Sequence, residues 1–224
     1  MNELPSATEK KGCLEALSFR EYRRSDLQRC IEITAQAWPE LKPGGFDLAT
    51  MEWYGWPSTW RDVACISDAP VGMLFGRVYA DEGALGRLRV KLAHATVYLK
   101  VFLGLYGRDS NRLSSLKGGL VGDRDIVKNA PEADGEITYL VIDSAHRGKG
   151  IGKELMGRFI EHARRGGASR ICVYTTEPGS DWRFYENYGF TRYSLFRDGF
   201  MSAVRKEEVK AMFYVLDLES RPSG

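Results

Sequence analysis

The chain has 224 residues, enough for one sizeable core, and its 43% hydrophobic and 28% charged composition is that of an ordinary globular protein. Lys and Arg total 32 against 30 Asp and Glu, so the formal net charge is only +2, which excludes a general nucleic-acid binder carrying a basic face or tail. Cys13, Cys30, Cys65 and Cys172 lie far apart, with no C-x-x-C pair and no His at metal-ligand spacing. No metal site is expected, and a reduced, cytoplasmic chain is the better reading of these thiols.

In chain order, residues 1–16 form a loose polar leader without the apolar run of a signal peptide. Leu17–Tyr22 alternates as a short strand, and Ser25 or Asp26 caps a helix burying Leu27, Cys30, Ile31, Thr34 and Ala37. A stretch of turn formers and aromatics follows, with Phe46, Trp53, Tyr54, Trp56 and Trp60. Val63–Ser67 and Val71–Tyr79 then read as a hairpin joined through Asp68, Ala69 and Pro70. Ala84–Tyr106 is a long helix, apolar over more than half its circumference, whose breadth predicts burial against protein. Arg87, Arg89, Lys91 and Lys100 interrupt it, so it is no transmembrane segment. After a polar stretch at 107–135, Ile137–Ile142 is an apolar strand. Gly152–Arg164 is a helix burying Leu155, Met156, Phe159, Ile160 and Ala163, closed by Gly166 and Gly167. Ile171–Tyr174 completes a βαβ unit, and a short helix near 180–188 stops at Gly189. Strands near 191–196 and 211–218 finish the sheet.

The main chemical signal is Arg147-Gly148-Lys149-Gly150-Ile151-Gly152, lying between a strand and a helix. Closely spaced glycines let successive N–H groups face one concavity, to which the helix adds its positive end, giving an anion site suited to a pyrophosphate. A Walker A loop fails because Arg147 and Glu154 stand where its first Gly and its Ser/Thr belong. A dinucleotide G-x-G-x-x-G fails at Lys153.

The R-x-x-G-x-G spacing from Arg147 through Gly150 to Gly152 resembles the acetyl-CoA signature of the GNAT superfamily of N-acetyltransferases. Leu140-Val141-Ile142-Asp143 upstream and Phe184-Tyr185-Glu186-Asn187-Tyr188-Gly189-Phe190 downstream extend the likeness over about residues 136–196. The resemblance implies an α/β fold of the α+β type, a mixed, mostly antiparallel twisted sheet with helices on both faces and a central βαβ acetyl-CoA unit. It implies a single domain over 17–220 with a helical insertion at about 82–134. The apolar breadth of that helix makes it a lid or a homodimer element rather than one that rests on a membrane surface. Acetyl-CoA would be the co-substrate, with no metal and no nucleic acid, and the acceptor a small-molecule or peptide amine.

The same resemblance assigns roles. The N–H groups of Arg147, Gly148, Lys149, Gly150, Ile151 and Gly152 would hold the pyrophosphate. The strand at Leu140, Val141 and Ile142 would align the pantetheine and polarise the thioester carbonyl. An ammonium with a pKa near about 10 must lose a proton before it attacks. Glu136 is the candidate base, with the cap of an exposed strand start as its bland alternative; Asp134 and Asp143 are weaker candidates. Tyr185 would donate a proton to the leaving thiolate, leaving Phe184 and Tyr188 as core aromatics. The family's Asn is missing ahead of that segment, where Ser180 or Asp181 would substitute. Trp53, Trp56 and Trp60 would line an acceptor pocket or pack in the core. A transferase of a longer acyl group and a non-catalytic acyl-CoA sensor are the competing functions.

Overall fold

Apolar residues at period two in strands and near 3.6 in helices sort residues 17–39, 46–83, 85–107, 122 and 124–218, those described by the computed structural model, around one sheet. In chain order the elements are β1 (Leu17–Glu21), α1 (Leu27–Ala37), α2 (Phe46–Gly55), β2 (Trp60–Ile66), β3 (Ala69–Val78), α3 (Gly86–Leu103) and β4 (Gly135–Ile142). They continue with α4 (Ile151–Arg165), β5 (Arg170–Glu177), α5 (Arg183–Tyr188), β6 (Thr191–Arg197), α6 (Gly199–Arg205) and β7 (Lys210–Asp217). The strand order is β1-β2-β3-β4-β5-β7-β6, and every pair is antiparallel except β4–β5. This is the mixed, mostly antiparallel sheet with a central βαβ unit that the sequence led us to expect.

α4 covers one face. Its Ile151, Leu155, Met156, Phe159, Ile160 and Ala163 are all buried, the latter five as expected, and they pack with Leu74, Ile137, Ile171 and Val173. Ring atoms of Phe159 lie where a Cβ on Gly76 would sit, 2.4 Å from that position, so the close approach of α4 to β3 requires glycine there. On the other face α1 and α2 bring Cys30, Ile33 and Met51 against Val63, Met73, Phe75, Tyr139 and Val141.

β4 keeps β3 along its whole length but loses β5, its second neighbour, partway along. Against β3 the register runs Phe75↔Tyr139 and then Gly76↔Ile137, so Thr138 is a bulged extra residue, its hydroxyl 2.9 Å from that of Ser58. The bulge explains why Ile137, Leu140 and Ile142 side with α4 while Tyr139 and Val141 face α1 and α2. Against β5 only Gly135, Ile137 and the residue between them are paired, to Ile171, Val173 and Cys172. Beyond that point the two strands part.

Four expectations change. The aromatic stretch is helical over Phe46–Gly55 rather than a run of turns, because its Gly and Pro residues fall at its ends. Asp26 does not cap α1; its carboxylate accepts from the N–H of Arg23 at 2.7 Å and binds Arg20, capping the preceding helical turn. A short α6, capped by Asp198 through the N–H of Met201 at 2.7 Å, intervenes between the last two strands. Finally, α3 forms as expected but is not buried: of its side chains only Val97 is, against Ala49 of α2 and Tyr106, while Leu88, Leu92, Leu99, Phe102 and Leu103 are each more than half exposed. The leader and residues 108–121 of the polar stretch lie outside the described residues, and 124–129 are helical. Among the described residues no helix is long and apolar enough to cross a membrane.

Gly76→Ala is expected to destabilise the protein by about 1–3 kcal/mol through overpacking against Phe159, read as a lower urea midpoint with an unchanged slope.

Candidate active site

The glycine-rich turn has the geometry its sequence implies. Gly148 and Gly150 adopt φ of +74° and +80°, a conformation costly for residues with a Cβ, and a Cβ on either would meet no protein atom within 4 Å. α4 starts directly after Gly150. No N–H from Arg147 to Gly152 donates within the described chain; the first to do so in α4 is that of Glu154, to the Gly150 carbonyl at 3.1 Å. Arg147 turns back to donate from Nε to the Ile142 carbonyl at 3.1 Å, fixing the turn to the end of β4. Exposed Lys149 adds positive charge. The result is a solvent-facing cradle of unpaired donors at a helix N-terminus, which suits a phosphate.

The parting of β4 and β5 opens beside this cradle. Its closed end is stapled by Asp134, whose Oδ2 accepts from Ser169 N at 2.8 Å, Ser169 Oγ at 2.6 Å and Arg170 N at 3.0 Å. The Ser169 hydrogen bonds hold the Asp134 carboxyl below the usual range. From the bulge onward, Leu140, Val141 and Ile142 pair with β3 alone, so one edge of this stretch is open to an extended ligand. At the open end Trp38 lies against Tyr139 with centroids 5.6 Å apart and donates from Nε1 to the Gly179 carbonyl, just beyond β5, at 3.2 Å.

Glu136 sits at the apex of the parting, in the last paired stretch, facing away from α4 because it alternates with Ile137. Its Oε1 accepts from Arg77 Nη1 at 2.7 Å, and Arg77 also binds Glu82 at 2.6 Å. Burial raises the Glu136 pKa, with Arg77 opposing and Glu82 reinforcing. Opposite Glu136 in register stands Cys172, whose thiol is pushed up to about 12 by burial and then by the Glu136 charge. Cys172 is therefore not a thiolate at neutral pH. Asp134 and Asp143, the weaker base candidates, have structural work instead. Asp143 is buried, binds Arg29 and caps a turn through the N–H of Ala145 at 3.0 Å.

Tyr185 lies on the opposite face, in the α4 core with Phe190 and Tyr214. It is more deeply buried than Phe184 and Tyr188, the two aromatics expected to serve the core. Burial raises its pKa, so the phenol keeps its proton, and its hydroxyl has no hydrogen-bond partner among the described residues. Ser180 turns inward: its Oγ donates to the Thr176 carbonyl at 2.8 Å and contacts Thr175 Oγ1, while Asp181 is exposed.

The three tryptophans do not converge. Trp53 stacks on His94 of α3 at 3.8 Å, Trp56 lies under Lys100 at 4.5 Å, and Trp60 stacks on His162 of α4 at 4.3 Å. α2 turns the first two toward α3, and strand alternation sends the third to the other face. What the Glu136 face carries instead is Tyr54 stacked on Tyr139 at 5.2 Å, Trp38, and Tyr174 hydrogen-bonded to Asp198. Neither this group nor Arg77 was visible in the sequence, because strand register brings them together. Among the described residues no cluster of His, Cys, Asp or Glu could hold a metal ion.

Residues 112–190 match the model of the acetyltransferase (GNAT) family. The sequence matches none of the curated proteins. Among solved structures, yncA from Salmonella typhimurium with its cofactor acetyl-CoA aligns over 93% of this chain and 97% of its own at TM-score 0.51 and 16% identity. An aminoglycoside 6'-N-acetyltransferase complexed with coenzyme A covers 92% and 99% at TM-score 0.56 and 13% identity. The ribosomal-protein-S18-alanine N-acetyltransferase from Escherichia coli covers 93% and 98% at TM-score 0.50 and 11% identity.

Because the Glu136 carboxyl titrates above its unfolded value, its charge weakens the fold above that value, and the penalty vanishes as pH falls below it. Glu136→Gln is therefore expected to raise the thermal midpoint at pH 7 by roughly 0–3 °C, with no gain near pH 4. A clear loss of stability at pH 7 would mean that the Arg77 ion pair dominates.

Proposed function

We propose that this chain is an acetyltransferase that uses acetyl-CoA as co-substrate and acetylates a primary amine, small-molecule or peptide, by direct attack in a ternary complex. The match of residues 112–190 to the acetyltransferase (GNAT) family model supports this reading. The observation that carries this reading is the parting of β4 and β5, with an anion cradle at one end, Glu136 on one face and Tyr185 on the other. The free N–H groups of Arg147 to Gly152 would hold the pyrophosphate, and the unpaired edge of Leu140–Ile142 the pantetheine. Acetyl-CoA supplies an acetyl group activated as a thioester.

Glu136 takes a proton from the acceptor ammonium, and its raised pKa brings it nearer the operating pH. The amine nitrogen then bonds to the acetyl carbon as the carbon–sulfur bond breaks. Tyr185 gives its phenolic proton to the departing sulfur, and the nitrogen sheds its second proton to solvent as the amide forms. Solvent then reprotonates Tyr185 and takes the proton held by Glu136. Backbone N–H groups along the free edge of β4 are suited to stabilising charge on the carbonyl oxygen. No cysteine is needed as a nucleophile, in keeping with the protonated thiol of Cys172. The buried, free Cys30, Cys65 and Cys172 support a reducing compartment such as the cytoplasm.

Release of free CoA, followed with a thiol reagent over a panel of polyamines, amino acids, aminoglycosides and peptides, tests the reading. Glu136→Gln is expected to lower kcat/KM by about 10²–10⁴ and to abolish the acidic limb of its pH profile. Tyr185→Phe should lower kcat while acetyl-CoA affinity is retained. Tight acetyl-CoA binding without release for any amine would favour a sensor. Gly150→Val should weaken acetyl-CoA binding by about tenfold or more, since it adds a Cβ at positive φ inside the cradle; unchanged affinity by calorimetry would place the phosphates elsewhere.

A further inference from the structure

Of the thirteen exposed large hydrophobic side chains among the described residues, seven lie between Leu85 and Leu105. Those on the outward face of α3 follow a strict spacing: Leu85, Leu88, Leu92, Ala95, Leu99 and Phe102 alternate steps of three and four. That is the seam of a helix prepared for another helix. The inward face is already committed, with Val97 against α2 and Lys100 bound at 2.9 Å to Glu52.

We infer that α3 pairs antiparallel with α3 of a second copy of this chain. An antiparallel two-fold between residues 93 and 94 places Leu85 against Phe102 of the partner subunit, Leu88 against Leu99 of the partner subunit, and Leu92 against Ala95 of the partner subunit. Each layer then joins two positions of the seam, and the smallest side chain meets a leucine near the axis. Charge selects the same direction. Arg87, Arg89 and Lys91 crowd the first half of the helix, and no acidic residue occurs between Leu85 and Gly107. A parallel pair would bring six cations together, whereas the antiparallel pair sends them to opposite ends, with opposed helix dipoles. A lipid surface would accept the same basic, apolar helix, but it has no use for a narrow three-four seam with a small residue at its centre.

The helix is about 27 Å long, and a contact of that length falls below the roughly 800 Å² per partner of a standard interface, so a dissociation constant on the order of micromolar is expected. Sedimentation velocity of the full chain between about 1 and 200 μM should show monomer passing to dimer across that range. Leu92→Glu with Leu99→Glu should leave a monomer with unchanged circular dichroism and thermal midpoint, since both side chains are exposed in the single chain. In a Cys13→Ser background, Leu88→Cys combined with Leu99→Cys should oxidise to a covalent dimer and Leu88→Cys alone should not. A monomer at every concentration, or a dimer that survives the double glutamate variant, overturns the proposal. So does flotation with phosphatidylserine vesicles that the glutamates abolish, where the protein does not self-associate.

Discussion

The candidate site depends on how β4 is held: stapled to β5 at one end, free of it at the other. Asp134 fixes the start through three hydrogen bonds to Ser169 and Arg170, and only three residue pairs later the parallel ladder ends. A parallel pair is normally an interior element with both edges satisfied. Leaving Leu140–Ile142 paired on one side alone exposes backbone donors and acceptors that the fold does not satisfy itself. Such an edge is stable in a folded chain when water or an extended ligand completes it, and the glycine cradle at its end is suited to an anionic group.

The Thr138 bulge is the second half of the same device. Without it, Ile137, Tyr139 and Val141 would share a face; with it, Ile137 stays in the α4 core and Tyr139 turns to meet Trp38 and Tyr54. One inserted residue thus lets a single strand serve two different surfaces, a dry core on one side and a polar, aromatic face around Glu136 on the other.

The sequence made the second half of the chain legible because its signals are local. Apolar period two marks Ile137–Ile142, period 3.6 marks Leu155–Ala163, and glycines punctuate both. The turn from Arg147 to Gly152 could be read because its chemistry belongs to the backbone of six consecutive residues. The ion pair of Arg77 with Glu136 could not, since 59 positions separate them and only the β3–β4 register joins them. The tryptophans misled for the converse reason: closeness in sequence says little about direction when a helix and a strand divide them. For α3 the breadth of apolar surface was legible, but not that only one narrow side of it meets this chain's own core.

Arg77 shows how the fold sets the state of the candidate base. A guanidinium given wholly to Glu136 would hold that carboxylate at low pKa and leave it a poor acceptor for a proton. Here Arg77 also binds Glu82, whose side chain is only 6% exposed, so one positive charge answers two carboxylates. Desolvation then outweighs the attraction that remains, and the Glu136 pKa ends above its ordinary value. Tyr185 keeps its proton chiefly through burial, with the Asp181 charge adding to the same shift. A carboxyl whose pKa is raised and a phenol that keeps its proton are thereby held on the two faces of one sheet.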